Sequence, residues 1–351
     1  MNKLQGADVT ELYNLSALEL GRAYQNRSLS PVEVVQAVLA RIERWEPHLH
    51  ATYLLRPEIA LEQARTSEAR WQRGEPFGAL DGVPVTIKDN IATRGDPVPL
   101  GTAAVDLVAA GADAPPAARL REAGAVIVCK TTMPDYGMLS SGLSTFHALA
   151  RNPWDLRRTP GGSSAGAGAG AAAGYGPLHI GTDIGGSLRL PAAWCGIFSL
   201  KPSLGRVPID PPYMGRAAGP MTRTVQDAAL MMQVLAQPDA RDSMSLPAQD
   251  IAWSSVDDMA GRLRGMRIGL LLDAGCGLPL ESEIRTAVEQ AARLFEQAGA
   301  IIEPMAPFMS QTMLDGMDHL WRMRSLNDLN ALAPAQRAKV LPYILQWAES
   351  A

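Results

Sequence analysis

Residues 161–174 read Gly-Gly-Ser-Ser-Ala-Gly-Ala-Gly-Ala-Gly-Ala-Ala-Ala-Gly, with no side chain larger than a hydroxymethyl group. Glycine and serine in quantity make flexible tethers. Glycine also lets one backbone approach another closely, so the same run suits a helix laid directly on a sheet. Short apolar runs that end in a turn or a charge occupy residues 83–87, 125–129, 178–180 and 197–200. Residues 266–272 and 300–302 repeat the pattern, separated by Ile284, Val288, Ala292 and Phe295 at helical spacing, which stops at Gly299. Strands interleaved with helices predict an α/β fold around a largely parallel or mixed sheet.

Two helices are expected near the start. Ser16 with Glu19 and Ser30 with Glu33 fit the capping box, and Pro31 takes the first helical position of the second. Val34, Val38, Ile42 and Trp45 then fall on one helical face, as a core-facing stripe does. Beyond about Met305 the chain reads as helical and Met-rich.

Composition excludes several classes of function. A formal charge of −4 offers no field for a polyphosphate backbone, so no nucleic-acid partner is expected. No apolar run reaches the roughly 20 residues that span a bilayer, and the N-terminus lacks the basic-then-apolar order of a secretory signal. Cys129, Cys195 and Cys276 are scattered without a CxxC pair, which suits a reducing cytoplasm rather than a disulfide framework. The histidines contain no HExxH, and His48 and His50 beside Pro47 read as a solvated loop, so no metal site is predicted. Only five of the 32 basic residues are lysines, which makes any lysine in an apolar setting notable.

Several motifs compete over the small-residue run. Gly166, Gly168 and Ala171 satisfy a loose dinucleotide fingerprint, but Arg157-Arg158-Thr159-Pro160 before them is no strand. Gly162-Ser163-Ser164-Ala165-Gly166 matches a nucleophile elbow but lacks the preceding strand and the ordered acid and histidine. No cofactor is therefore expected. Downstream, Gly185-Gly186-Ser187 places two glycines before a serine, a pattern that can aim successive N–H groups at a developing oxyanion. Alone, it reads as an ordinary turn. Lys88 closes the apolar run 83–87, where lysines usually snorkel to solvent. It becomes a base only if desolvation lowers its pKa from about 10.4. Lys130 and Lys201 hold similar strand-end positions, so local sequence does not choose among the three.

The ordered set does. Gly82-Val83-Pro84-Val85-Thr86-Ile87-Lys88-Asp89-Asn90, then Arg151-Asn152-Pro153-Trp154, then Pro160-Gly161-Gly162-Ser163-Ser164, then residues 181–206 closely resemble the amidase-signature family. Weaker likeness runs from residues 29–35 to 266–269. The resemblance implies one domain over 1–351, with a catalytic core at about 75–225 and a central mixed sheet flanked by helices on both faces. It places the family's lysine on Lys88, its bridging serine, set across a cis peptide, on Ser163, and its nucleophile on Ser187. Ile184, Gly185 and Gly186 then fall in the oxyanion loop, supported by Thr182, Asp183 and Arg189. Asp183 and Arg189 are expected to pair and fix that loop. Met133, Pro134, Asp135 and Tyr136 fall in a segment that borders the family's pocket.

The implied activity is hydrolysis of a small-molecule carboxamide or related acyl bond through an acyl-Ser187 intermediate, with a homodimer left open as the assembly. The alternatives are a glutamine-hydrolysing subunit of a tRNA-dependent amidotransferase and an inactive, shortened amidase. Ala165 stands where the family commonly has glycine. Family members also continue past this length, so C-terminal strands and pocket wall are expected to be missing beyond a helical region at about 305–351.

Overall fold

The computed structural model describes residues 9–253, 259–277 and 279–351. Residues 1–8, part of the stretch read as lacking a secretory signal, lie outside that set. Where the sequence reading places one domain, the contacts divide the chain into two compact units. The larger falls within Met1–Ser254 and Ala333–Ile344, the smaller within Ser255–Leu332 and Leu345–Ala351.

The larger unit runs α1 (Ala17–Gln25), α2 (Pro31–Leu49), β1 (Thr52–Leu55), α3 (Pro57–Arg73), β2 (Pro84–Lys88), α4 (Pro115–Glu122) and β3 (Val126–Thr131). It continues through α5 (Ala165–Ala173), β4 (Leu178–Asp183), α6 (Arg189–Cys195), β5 (Phe198–Ser199), β6 (Ala217–Thr222) and α7 (Val225–Leu235). Both expected capping boxes are formed, and Val34, Val38 and Ile42 are buried on the inner face of α2. That helix also absorbs Pro47 and runs to Leu49, so His48 lies on its exposed last turn rather than in a loop. A proline so near a helix end removes a single intrahelical hydrogen bond.

The sheet order is β1-β3-β2-β4-β6-β5. Strands β3, β2 and β4 are parallel, while β1, β6 and β5 each pair antiparallel, so the sheet is mixed. Val85, Ile87, Leu178 and Ile180 point into one core with Leu20 of α1, Leu120 of α4 and Met231 of α7. Thr86, Lys88 and His179 alternate onto the other face, where α5 lies. All of α5 except Ala172 is buried. A Cβ on Gly166 would sit 2.0 Å from the Ala51 carbonyl oxygen, so the chain there tolerates no side chain. The small-residue run is thus a helix pressed onto the sheet.

Strands β1 and β6 were not foreseen. β6 reads Ala-Ala-Gly-Pro-Met-Thr, with none of the β-branched bias of a strand until its last residue. Its glycine is a packing requirement, since a Cβ on Gly219 would lie 2.2 Å from the Leu200 carbonyl oxygen.

The smaller unit holds α8 (Met259–Leu263), β7 (Arg267–Leu270), α9 (Ser282–Gln297), β8 (Ile301–Pro304) and α10 (Gln311–Asn330). β7 and β8 pair in parallel across α9. The helix expected around Ile284, Val288, Ala292 and Phe295 is present as α9, and its apolar stripe is not buried: Ile284, Val288 and Phe295 are 49%, 39% and 43% exposed. Two short helices, Pro334–Arg337 and Pro342–Glu349, follow α10, so the region beyond Met305 is mainly helical.

Candidate active site

Lys88 ends β2, whose five residues are all buried. Its Nζ lies 2.8 Å from Ser163 Oγ, 2.9 Å from Thr182 Oγ1 and 3.0 Å from Ser164 Oγ. Burial, and after it the Arg216 guanidinium, hold the amine well below the usual lysine pKa against the opposing pull of Asp89 and Asp183. The charged form of the side chain is therefore disfavoured at this position.

The three hydroxyls around the amine have further partners of their own. Ser164 Oγ donates its hydrogen to the Thr182 carbonyl at 3.1 Å, so toward Lys88 it can only accept. Thr182 Oγ1 already accepts from Asn90 Nδ2 at 3.1 Å. The Lys88 amine donates toward all three hydroxyl oxygens, and Ser163 Oγ is the nearest of them.

Ser163 is 4% exposed and follows a cis peptide from Gly162. A Cβ on Gly162 would lie 2.5 Å from backbone atoms of Leu139 and Ser141, so only glycine fits before it. Gly137 comes close on the other side, with a Cβ position 3.1 Å from Ser163 Oγ.

Ser187 sits half-exposed at the end of the loop after β4. It is brought to this place through its main chain, its carbonyl accepting from the Ser164 N–H at 3.3 Å. A hydrogen bond between the Ser187 and Ser163 side chains is not among those of the described residues. Asp183 organises the loop. Its carboxylate accepts from the N–H groups of Gly186 and Leu188, each at 2.9 Å. It is gripped by Arg189 through Nη2 at 2.8 Å and Nε at 3.0 Å. The expected pairing of Asp183 with Arg189 is therefore present.

One expectation changes. Gly186 was placed among the oxyanion donors, but its N–H is committed to Asp183. The N–H groups of Ile184, Gly185 and Ser187 make no hydrogen bond among the described residues. Gly186 contributes its φ of 119° instead, a backbone that favours glycine.

The structure also separates the three lysines. Lys88 pairs with Thr131 and Lys130 with Ile87, so Lys130 points to the opposite face of the sheet. Lys201 is half-buried and bonds the Pro202 carbonyl at 2.7 Å. Several neighbours of the site escaped sequence reading. Ser164 and Asn90 flank recognised motif residues, but only distance shows that they order the amine. Asp89 accepts from the Leu100 and Gly101 N–H groups, each at 2.9 Å, and lies 2.7 Å from His147 Nε2. His147 is 58 positions away and no local signal ties it to this site. Arg216 stacks over the Tyr213 ring at 4.0 Å. Among the described residues no group of three metal-binding side chains occurs, and no helix is long and apolar enough to cross a membrane.

The family model described as Amidase matches residues 33–347. The chain is similar to a subunit of glutamyl-tRNA(Gln) amidotransferase from Carboxydothermus hydrogenoformans, at 37% identity over 84% of this chain and 61% of that one. The corresponding subunit from Chloroflexus aggregans is 38% identical over 85% of this chain and 62% of that one. The chain thus spans about three fifths of the length of these curated relatives. Among solved structures, a bacterial aryl acylamidase of the amidase signature enzymes superposes with a TM-score of 0.85 at 33% identity, covering 96% of this chain and 72% of that one. Peptide amidase from Stenotrophomonas maltophilia gives 0.84 at 27% identity, covering 97% and 76%.

Proposed function

Because the chain belongs to the amidase family, we propose that it hydrolyses a small carboxamide or related acyl bond through an acyl-enzyme on Ser187. The observation that carries this reading is the buried Lys88, its amine 2.8 Å from the Ser163 hydroxyl and its pKa held well below the usual lysine range by burial. Lys88 takes the Ser163 proton as Ser163 takes that of Ser187, and the Ser187 oxygen attacks the carbonyl carbon. The negative charge that moves to the carbonyl oxygen faces the Ile184, Gly185 and Ser187 N–H groups. Each such donor is worth about 3 kcal/mol in the transition state. As the carbon–nitrogen bond breaks, the proton returns through Ser163 to the leaving amine. Water, deprotonated by the same relay, then cleaves the acyl ester and restores the Ser187 hydroxyl.

Mass spectrometry after exposure to a fluorophosphonate probe tests the assignment. A single adduct on Ser187, lost in Ser187→Ala, is expected from folded protein. An unlabelled Ser187 in a sample with a cooperative melt sinks it.

A second reading is favoured by the names of the curated relatives, which are glutamyl-tRNA(Gln) amidotransferase subunits. In it the same relay releases ammonia from glutamine, and the chain acts with partner subunits. Glutaminase activity that arises only on adding those subunits would select it over the free-standing amidase.

A further inference from the structure

A cavity of about 120 Å³ lies beside Lys130 and is lined also by residues of β1, α3 and the 94–96 turn. Sheet alternation turns Lys130 away from Lys88, so this cavity is not part of the site already described. Four cations line it, Arg56, Arg94, Arg121 and Lys130, against the single acid Asp96.

Two of the four are matched. Arg56 Nη2 lies 2.7 Å from Asp96 Oδ1, and the other oxygen of that carboxylate accepts from Thr93 Oγ1 at 2.7 Å. Arg121 forms a two-pronged pair with Asp113 at 2.9 and 3.2 Å. Arg94 and Lys130 are left. The Arg94 side chain is exposed and forms no ion pair within contact distance among the described residues, although its charge acts on Asp113. Lys130 is 1% exposed, and its amine donates to the Ile91 carbonyl, a neutral acceptor that uses one of its hydrogens. Arg56 Nε is buried with no hydrogen-bond partner.

Asp89, Asp96 and Asp113 act on Lys130 only through space, without a hydrogen bond to its amine, so the cost of burying it is offset only in part. Water can solvate such a group only in part. A negative charge in the cavity would answer Lys130, Arg94 and Arg56 Nε together, and charge-assisted donors converging from three segments suit an acceptor with several oxygens. The cavity has room for a small ion.

We propose that this cavity binds a small oxyanion of the phosphate type, held between Lys130 and Arg94. The site is independent of acyl transfer and stands whether or not Ser187 is a nucleophile. It ties β1, β3, α3 and the 94–96 turn to one ion, so occupancy should stiffen this edge of the sheet.

Isothermal titration of the full chain with inorganic phosphate, at ionic strength held constant with sodium chloride, tests the proposal. Malonate in a parallel titration distinguishes phosphate from a dicarboxylate as occupant. One saturable site is expected, weakened about tenfold by Arg94→Gln through loss of a charged contact. Arg94 is exposed, so this variant keeps the fold and carries the decision. Lys130→Met should remove binding altogether. Malonate competing for the phosphate site supports an oxyanion site open to carboxylates. No saturable heat with either anion, or an unchanged Kd in Arg94→Gln, overturns the proposal.

Discussion

Asp183 accepts the Gly186 N–H at 2.9 Å while its other oxygen takes the Leu188 N–H at the same distance, so one carboxylate bends the chain on both sides of Ser187. The Arg189 guanidinium closes over that carboxylate from outside, with a side chain 55% exposed where the acid is fully covered. The acid sets the loop; the base screens it.

This division of labour predicts unequal effects. Asp183→Asn leaves one backbone N–H without its acceptor inside the fold and should lower kcat/KM by about 100-fold, the scale of a lost oxyanion contact. Arg189→Ala removes an exposed partner worth at most about 1 kcal/mol, and should cost roughly fivefold or less. Steady-state kinetics on both variants decides the matter. Equal losses would show that the ion pair, rather than the carboxylate's hold on the backbone, shapes the loop.

Lys88 should destabilise the protein that needs it. Its folded pKa lies well below the ordinary 10.5, because burial disfavours the ammonium. A depressed folded pKa means the unfolded chain binds the extra proton. At pH above 10.5 the amine costs nothing, and stability is lost as pH falls below that value toward the folded pKa. Lys88→Met removes the amine and should therefore be inactive yet more stable than the parent at pH 7. The difference should shrink toward pH 10.5 in denaturant melts. A variant less stable at every pH would show that the lost hydrogen bonds outweigh desolvation.

Gly137 offers a steric probe of the bridging serine. At φ 70°, a Cβ there would lie 3.1 Å from Ser163 Oγ and 3.2 Å from Met133 Cε. Gly74 has φ 76° and open space around it, so alanine there reports backbone strain alone. Both substitutions should cost about 1 kcal/mol of stability. Only Gly137→Ala should also depress kcat, by roughly tenfold, with the inactivation rate by fluorophosphonate falling in step. If turnover survives in Gly137→Ala, the position of Ser163 is less critical than the relay requires.

His179 governs behaviour in acid. It is fully buried, 2.7 Å from Thr86 Oγ1 through Nδ1 and 3.1 Å from the Gly176 carbonyl through Nε2. That pattern fits a neutral ring donating from Nε2, and burial pushes its pKa down to about 3 from 6.5. Below pH 6.5 the unfolded chain takes up a proton that the folded chain refuses. Stability then falls by up to about 1.4 kcal/mol per pH unit until about pH 3. His179→Gln should flatten this part of the stability profile relative to the parent. Parallel acid profiles for the two proteins would remove His179 from the account.

How much of this was legible beforehand depended on periodicity and on order along the chain. Strands β2, β3 and β4 announced themselves as apolar runs, and the capping boxes fixed the starts of α1 and α2. β6 was hidden because Gly219 and Pro220 read as breakers, although the first is required by the approach of Leu200. α9 carried a helical stripe, yet Ile284 and Phe295 remain exposed, since periodicity shows which face is apolar and not what covers it. At the candidate site, Lys88, Ser163, Asp183 and Ser187 could be singled out by the order of their motifs. The commitment of the Gly186 N–H to Asp183 could not, because it depends on a turn closing in three dimensions. Nor could the roles of Ser164 and Asn90, whose neighbours stand 76 and 92 positions away.

The helix α5 has a consequence for adaptation. Its residues have almost no side chains to exchange, and a Cβ on Gly166 or Gly168 would strike main-chain or proline atoms at 2.0 and 2.7 Å. The floor beneath Ser163 is therefore closed to gradual change by substitution, since even one added carbon is a collision. New substrate preferences in a descendant of this protein would have to arise in the loops that rim the site, with the floor inherited intact.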